Sequence, residues 1–183
     1  MLVDPLRKIR VIADYQFGRG VGKKLFPSDV EIAFSKRTGR IRHVYLDRKM
    51  IATLRPTNGF LALTIEGGRR LLQIKPIRLW VQVEDEAAKF IAEGRSVFAK
   101  HVTDCDEGIR PGEEVVILNC KTEVLAVGRS VLAGKEIMAF RQGVAVRIRR
   151  GVDEGRRGKV KKENLKTIVR GERVAQRDQS TRN

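Results

Sequence analysis

Four segments in the second half of the chain decide its fold: EGRSVFAKHV (93–102), RPGEEVVIL (110–118), VLAVGRSVL (124–132) and MAFRQGVAVRIRRG (138–151). Each contains a short run of apolar and β-branched residues, and turn formers such as Pro111-Gly112 and Asn119 separate the runs. The pattern predicts strands over SVFAKHV, EVVIL, VLAVGRSVL and VAVRIRR, with a short helical turn at 135–140. Short strands with one or two helices favour a small closed barrel over an α/β sheet.

The strand predicted at 144–150 has two different faces. Successive side chains of a strand point to opposite sides, so Val144, Val146 and Ile148 share one side. Arg147 and Arg149 share the other side. We therefore expect these two arginines to lie together on the solvent face.

A strand and a helix precede this region. Leu79, Val81 and Val83 alternate as in a strand, and the acidic residues 84–86 favour the positive N-terminus of a helix that follows. Gly94 stands where that helix is expected to stop. Trp80 is interpreted as a packing anchor. The predicted apolar face of the helix consists of Ala87, Ala88, Phe90 and Ile91.

The first half begins with an amphipathic helix and continues as an antiparallel meander. Residues 5–16 follow the helical apolar spacing after a proline. Four strands are then expected within residues 29–75, and turns are expected at 35–39, at DRK and at 55–59. We expect the fourth strand to contain Leu61, Leu63 and Ile65 and to end at Gly67-Gly68, and that glycine pair with Pro76 predicts a domain boundary near residue 77.

The segment FGRGVGKKLFP (17–27) contains three glycines and two lysines but no nucleotide-binding motif. A P-loop needs Ser or Thr where Lys24 stands, and a dinucleotide fingerprint needs a third glycine where Lys23 stands. The segment is predicted to be a flexible basic loop. Two interpretations remain open, a contact with RNA phosphate and an ordinary connection between a helix and a strand.

The chain is strongly basic. Its 183 residues include 38 Lys and Arg against 22 Asp and Glu, a net charge of +16. A solvated thermophile surface would hold acids and bases in near balance, so a polyanionic partner, most commonly nucleic acid, is favoured. Residues 1–77 carry +10, residues 78–150 carry +1 and residues 151–183 carry +5. Phosphate contacts are therefore expected mainly from the flanks.

Cysteine and histidine are too few and too scattered for a zinc site. Cys105 and Cys120 do not form a C-x₂-C pair, and His43 and His101 are isolated. We expect two buried free thiols. The sequence does not decide whether Cys105 and Cys120 instead form a disulfide. No metal and no cofactor are predicted, and no catalytic residue is assigned because no acid–His or Cys–His constellation is evident.

The second half resembles the PUA domain, a small β-rich RNA-binding module. The resemblance covers residues 78–150 and rests on EGRSVF (93–98), RPGEEV (110–115), AVGR (126–129) and GVAVR (143–147). Ala99-Lys100-His101 departs from the Pro-Gly pair found in many members. The RNA-facing surface that the resemblance implies contains Arg95, Ser96, Phe98, Lys100, Arg129, Arg147 and Arg149. Arg150, the next residue along the last strand, is a further candidate for RNA binding.

The first half is similar to the region that precedes the PUA domain in archaeal tRNA-guanine transglycosylases. The similar stretches are VIADYQFGRGVG, SKRTGRIRHVYLD and IATLRPTNGFLALTIEG. The catalytic barrel of that family, with its carboxylate nucleophile and zinc cysteines, has no counterpart in this sequence. Additional phosphate contacts are expected from basic side chains of this half: Lys23, Lys24, Lys36, Arg37, Arg40 and Arg42.

These observations predict an α+β protein with three parts: a small α+β domain with an antiparallel sheet at 1–77, a PUA-like β-barrel with short helices at 78–150, and a basic tail at 151–183. In the tail a short helix is expected at Val160–Val169, and disorder is expected from Arg170 onward. No apolar run reaches the roughly 20 residues that span a bilayer, and no secretory signal is evident. A cytoplasmic location is expected.

The expected function is non-catalytic recognition of structured RNA, either tRNA or rRNA, as an accessory to an RNA-modifying enzyme. The expected partners are RNA and either a separate catalytic subunit or the small ribosomal subunit. The alternatives are a translation initiation or recycling factor and, with less support, an RNA-modifying enzyme or a structural protein without RNA. The sequence does not specify which RNA is bound, or the oligomeric state.

Overall fold

The computed structural model describes residues 4–154. Residues up to Val152 form one compact unit, and a second unit begins at Asp153. The helix expected at Val160–Val169 and the disorder expected from Arg170 lie outside the described residues.

The chain begins with the predicted helix α1 (Pro5–Phe17). The Asp4 carboxylate accepts the Leu6 and Arg7 amides at 3.1 and 3.2 Å, so it caps the helix. Ile9, Ala13 and Phe17 are buried. The predicted position of this helix is therefore confirmed.

The prediction of a flexible loop at 17–27 is wrong, because a second helix, α2 (Val21–Leu25), lies within this segment. The Gly22 amide donates to the Asp14 carboxylate at 2.6 Å. A Cβ on Gly22 would lie 2.2 Å from the Arg10 carbonyl oxygen, so only glycine allows this approach to α1. Arg70 donates to the Lys24 and Leu25 carbonyls at 2.9 and 3.0 Å. These tertiary contacts compensate for the short length of the helix.

The expected antiparallel meander follows. Its strands, β1 (Glu31–Phe34), β2 (Ile41–Leu46), β3 (Lys49–Leu54) and β4 (Leu61–Leu63), pair in the order β1-β2-β3-β4. The predicted turns are confirmed: Asp47 and Arg48 adopt positive φ in the tight β2–β3 turn, and Gly39 and Gly59 adopt positive φ in the other two.

The prediction that the fourth strand runs through Ile65 to Gly67-Gly68 is wrong, because these residues lie in helix α3 (Ile65–Leu72). Thr64 caps the helix by accepting the Gly67 amide at 3.2 Å. A Cβ on Gly67 would lie 2.0 Å from the Ile51 carbonyl oxygen, and one on Gly68 would lie 2.9 Å from Val127 Cγ1. The glycine pair therefore permits close packing of α3 on both halves of the chain and does not mark a turn.

The second half forms a six-stranded sheet with few short helices. Its elements are β5 (Trp80–Val83), α4 (Asp85–Ala92), β6 (Val97–Phe98), β7 (Val102–Cys105), β8 (Glu114–Leu118), β9 (Val124–Ser130), α5 (Gly134–Ala139) and β10 (Val144–Gly151). The order is β6-β10-β9-β8-β5-β7, and only β5 and β8 pair in parallel. The strand expected at 96–102 is interrupted by a 3₁₀ turn, Ala99–His101, which joins the two edge strands. The sheet is therefore nearly closed, and the predicted α+β class is confirmed.

Arg147 and Arg149 are both exposed, as predicted, but the alternation expected to place them on one face is interrupted. The register between β9 and β10 shifts between Ile148 and Arg150, so the simple alternation fails at Arg149. The Arg149 guanidinium donates to the Glu114 carboxylate and to the Leu63 carbonyl, each at 2.6 Å.

The two sheets are joined through Glu114, which is 4% exposed. Its carboxylate pairs with the guanidinium groups of Arg55 and Arg149. It also accepts the Leu63 amide from β4 at 3.4 Å. A buried carboxylate needs such partners because desolvation of an unpaired charge costs several kcal/mol. We call Glu114, Arg55 and Arg149 the Glu114 cluster.

Three predictions of burial have different outcomes. Trp80 packs against the core, as expected. Cys105 is buried, and burial, with a smaller effect from the Asp104 carboxylate, raises the pKa of its thiol to about 11. Cys120 is a free thiol but is exposed, because it lies in the turn after β8, so the prediction of a buried second thiol is wrong. Phe90 was expected on the buried face of its helix, but it is exposed, so that prediction is also wrong.

Candidate functional site

A cavity of about 340 Å³ lies between α4 and β6. We call it the crease and define it by Phe90, Arg95, Ser96, Phe98 and His101. Phe90 and Phe98 are 48% and 47% exposed. The Arg95 guanidinium carbon lies 5.2 Å from the centre of the Phe90 ring, within the range of a cation–π contact. The crease therefore presents aromatic surface and a guanidinium together, and the Glu86 carboxylate also lines the cavity.

The end of α4 fixes the position of Arg95. Gly94 adopts a φ of +94°, which reverses the chain after the helix. The Arg95 amide then donates to the Phe90 carbonyl at 3.0 Å. This turn brings the Arg95 side chain back over the Phe90 ring, so local backbone geometry prearranges the contact.

The 3₁₀ turn forms the other wall of the crease. His101 Nδ1 pairs with the Glu84 carboxylate, and the Glu84 amide donates to the His101 carbonyl at 3.0 Å. The Ala99 amide donates to the Gly143 carbonyl at 3.0 Å. This turn, which departs from the family's Pro-Gly pair, is therefore anchored to α4 and to β10, with Lys100 exposed between the two anchors.

Two exposed arginines lie side by side next to the crease. Arg129 on β9 is the register partner of Arg147 on β10. Val146 pairs with Val97, which places Arg147 at the level of Ser96. Arg129 Nε donates to the Gly112 carbonyl at 2.8 Å, so its side chain is held in place. Like charges directly opposite each other destabilise a sheet. The Glu114 carboxylate, opposite Arg129 on β8, offsets part of that cost, and a bound anion would reduce the rest. We call Arg129 and Arg147 the arginine pair.

The remaining predicted residues lie outside the crease. Arg150 is exposed on β10 opposite Val127, and Arg149 belongs to the Glu114 cluster. Lys23 and Lys24 are exposed on α2. The β1–β2 hairpin and the start of β2 carry four exposed cations, none of which forms an ion pair with a residue in the described part of the chain: Lys36, Arg37, Arg40 and Arg42. We call these four residues the hairpin cations.

Two aromatic features were missed by the sequence analysis. Phe90 was assigned to the core because its spacing from Ala87 and Ile91 fits one helical face. Tyr15 and Phe60 form an exposed stacked pair, with ring centres 5.9 Å apart. Gln16 holds that pair in place, because its side-chain amide bonds both the amide and the carbonyl of Leu61, at 2.6 and 3.2 Å. Tyr15 falls outside the apolar spacing of α1, which was the available signal.

Residues 4–154 contain no group of three or more His, Cys, Asp or Glu side chains arranged to hold a metal ion. None of the helices in this part of the chain is both long enough and apolar enough to cross a bilayer.

Two protein-family models match adjacent parts of the chain. The patch-forming domain C2 of tRNA-guanine transglycosylase matches residues 7–77. The PUA domain matches residues 80–152, which contain the crease and the arginine pair.

Curated relatives of the chain include archaeal tRNA-guanine(15) transglycosylases. The enzyme of Methanothermobacter thermautotrophicus is 44% identical over 150 residues, which cover 81% of this chain and 23% of that protein. The enzyme of Pyrococcus abyssi is 43% identical over 151 residues, which cover 82% of this chain and 25% of that protein. The chain thus spans about a quarter of the length of these relatives.

Solved structures share the fold at low sequence identity. A hypothetical protein of Pyrococcus horikoshii superposes with a TM-score of 0.64 at 22% identity, covering 80% of this chain and 89% of that one. A conserved PUA-domain protein of Thermoplasma acidophilum gives 0.59 at 22% identity, covering 79% and 86%. These similarities extend over both sheets and establish the architecture.

Proposed function

The chain joins a patch-forming C2 domain of the tRNA-guanine transglycosylase type to a PUA domain, and from this premise we propose that it is a non-catalytic protein that binds structured RNA. The observation that carries the proposal is the crease. It combines two half-exposed phenylalanine rings, a guanidinium on one of them and the adjacent arginine pair. Aromatic faces stack on unpaired bases, and guanidinium groups bind phosphate or base edges.

Affinity and selectivity come from different parts of the molecule. The hairpin cations, with Lys23 and Lys24, contact phosphates, which carry little sequence information. The crease residues, the arginine pair, Lys100 and Arg150 contact a specific feature of the RNA. This division follows the charge, since residues 1–77 carry +10 and residues 78–150 carry +1. We also propose that residues 1–77 and 78–150 are two domains, because their net charges differ in this way.

The ligand we favour is tRNA, because tRNA is named in the activity of the curated relatives. The chain covers about a quarter of those enzymes, and it lacks an evident nucleophile–base pair. We propose that it presents tRNA to a separate catalytic subunit in the cytoplasm. The purified chain should then exchange no labelled guanine or precursor into tRNA, and exchange by the chain alone would refute the non-catalytic role.

Crosslinking in cell extract, followed by sequencing of the bound RNA, tests the proposal. We expect tRNA to be enriched over its share of total RNA, and expect the enrichment to disappear in a Phe98→Ala/Arg95→Ala variant. Enrichment of small-subunit rRNA would instead support a translation factor. RNA capture no greater than that of an unrelated basic protein of similar charge would reject RNA recognition.

A further inference from the structure

A second, smaller recess shares no lining residue with the crease. It has a volume of about 110 Å³ and lies between residues 17–24 and residues 74–78. Four cationic side chains line it, two from each segment, and no acidic residue does: Arg19, Lys24, Lys75 and Arg78. We call it the cationic recess. Two stretches about 50 residues apart in sequence therefore bring four positive charges to one small cavity.

The backbone at the recess offers donors as well as charge. The Val21 amide donates to the Gly18 carbonyl at 3.1 Å and closes a turn, with Gly20 at a φ of +84°. Within residues 4–154 the amides of Arg19 and Gly20 have no hydrogen-bond acceptor. A Cβ on Gly18 would lie 3.7 Å from Arg78 Nη1, so the guanidinium lies beside this turn. Amides and a guanidinium that converge in this way are typical of anion sites.

The nearby carboxylates form no ion pair with the recess cations. Asp14 accepts the Gly22 amide at 2.6 Å. Asp106 accepts the Leu79 and Gly108 amides at 2.8 and 2.9 Å. None of the four recess cations forms an ion pair with a residue that the structure describes. These cations therefore repel one another without a direct acidic partner in the free protein, and a bound anion would reduce that repulsion.

We propose that the cationic recess binds one phosphate group of the RNA. The proposal rests on the proposed function, because RNA supplies the phosphate. A phosphate suits the site because its several oxygens accept from amides, lysines and a guanidinium at once. The same chemistry fits an internal phosphodiester or a terminal phosphate, and the two are separable by experiment. Arg19, Lys75 and Arg78 thereby join Lys24 as phosphate-binding residues.

The test compares two double variants of equal charge. Lys75→Ala/Arg78→Ala removes two recess cations, whereas Lys8→Ala/Arg7→Ala removes two exposed cations from the opposite end of α1. These lie roughly 15 Å away by helical rise. Both variants lose the same long-range attraction. We expect the recess variant to lose roughly tenfold more affinity for tRNA than the control, the value of one charged hydrogen-bonded contact.

Two further experiments identify the kind of phosphate that binds. Millimolar pyrophosphate should raise the Tm of the wild type and of the Lys8→Ala/Arg7→Ala control, but not that of the recess variant. Ribo-oligonucleotides with a 5′-phosphate or a 5′-hydroxyl then separate the sources. A preference for the 5′-phosphate that the recess variant loses indicates a terminal phosphate. Equal binding of both, equally weakened in the recess variant, indicates an internal one.

Different results would refute the phosphate site in the cationic recess and the proposed binding of RNA. If wild type binds tRNA but the recess variant behaves like its control and pyrophosphate has no effect, the phosphate site is wrong and RNA binding stands. If pyrophosphate stabilises the wild type but no RNA binds, the proposed function fails and RNA as the source of the phosphate fails with it.

Discussion

The four-stranded sheet at 31–63 and the nearly closed sheet at 80–151 use charge in different ways. Around the first sheet, cations lie on an exposed hairpin and on α2, without acidic partners among the described residues. The second sheet belongs to a nearly neutral region, but there the Arg95 guanidinium lies against the half-exposed Phe90 ring in a cavity. Under the proposed function, the net charge of the first half provides attraction for RNA, whereas the packing around the crease provides discrimination between RNAs.

The largest effect is expected where the two sheets meet. Glu114→Ala leaves Arg55 and Arg149 without their carboxylate, and loss of one partner of a buried pair costs about 3–5 kcal/mol. We expect a loss of about 3 kcal/mol in the free energy of unfolding, since Arg149 is one-third exposed. Urea unfolding measures it, with the exposed Glu123→Ala as control. A loss below about 1 kcal/mol would mean that the sheets do not depend on this cluster.

The next effect concerns discrimination at the crease. Phe98→Ala removes a stacking surface worth about 1–3 kcal/mol per base. We expect affinity for the preferred RNA to fall by that amount while affinity for an unstructured competitor changes little. Phe34→Ala, which removes a similarly exposed ring at the end of β1, is the matched control. Equal losses for Phe34→Ala and Phe98→Ala would show that the crease has no special role.

The hairpin cations should behave in the opposite way. Lys36→Glu/Arg37→Glu should weaken preferred and competitor RNAs by a similar factor, roughly tenfold at low salt, because only phosphate contacts are lost. Lys121→Glu/Lys135→Glu makes the same charge change at exposed lysines outside the hairpin and should have a smaller effect. Filter binding with both RNAs measures the outcome, and a selective loss for one RNA would refute the assignment.

The smallest effect separates stability from binding. Arg147→Thr removes a like-charge neighbour of Arg129 and should stabilise the free protein by about 0.2–0.5 kcal/mol while weakening RNA binding. Arg150→Thr is the matched control, because Arg150 lies opposite Val127 on the same strand and has no like-charged register partner. Thermal unfolding without RNA compares the two, and destabilisation by Arg147→Thr would show that no anion site is needed to explain the pair.

Alternation and turn chemistry in the sequence predicted most of the fold, because strands such as β2 and β5 alternate in burial and the β1–β2 and β3–β4 turns use glycine. The errors at Gly67-Gly68 and at α2 share one physical cause, which is packing against residues that are distant in sequence. Gly67-Gly68 resembles a turn locally, but close packing against Ile51 and Val127 requires glycine inside a helix. Helix α2 depends on contacts from distant Arg70, which local propensity does not contain.

The candidate site was predictable only in part. Arg95, Ser96 and Phe98 are close in sequence, so a local motif indicated them together. Phe90 has core-like spacing, and only the packing of α4 shows that its ring is exposed. The bulge at Arg149 interrupts an alternation that the sequence otherwise supports. The cationic recess brings together residues 17–24 and 74–78, and no local pattern links those segments.

One salt series tests the central claim most directly. Binding of tRNA and of an unstructured RNA of equal length is measured for wild type, Lys36→Glu/Arg37→Glu and Arg95→Ala/Phe98→Ala. We expect the hairpin variant to lower the slope of log affinity against log salt and to keep the ratio of the two affinities, whereas the crease variant should lower the ratio and change the slope less. A hairpin variant that abolishes the preference, together with a crease variant that retains it, would refute this division between the hairpin and the crease.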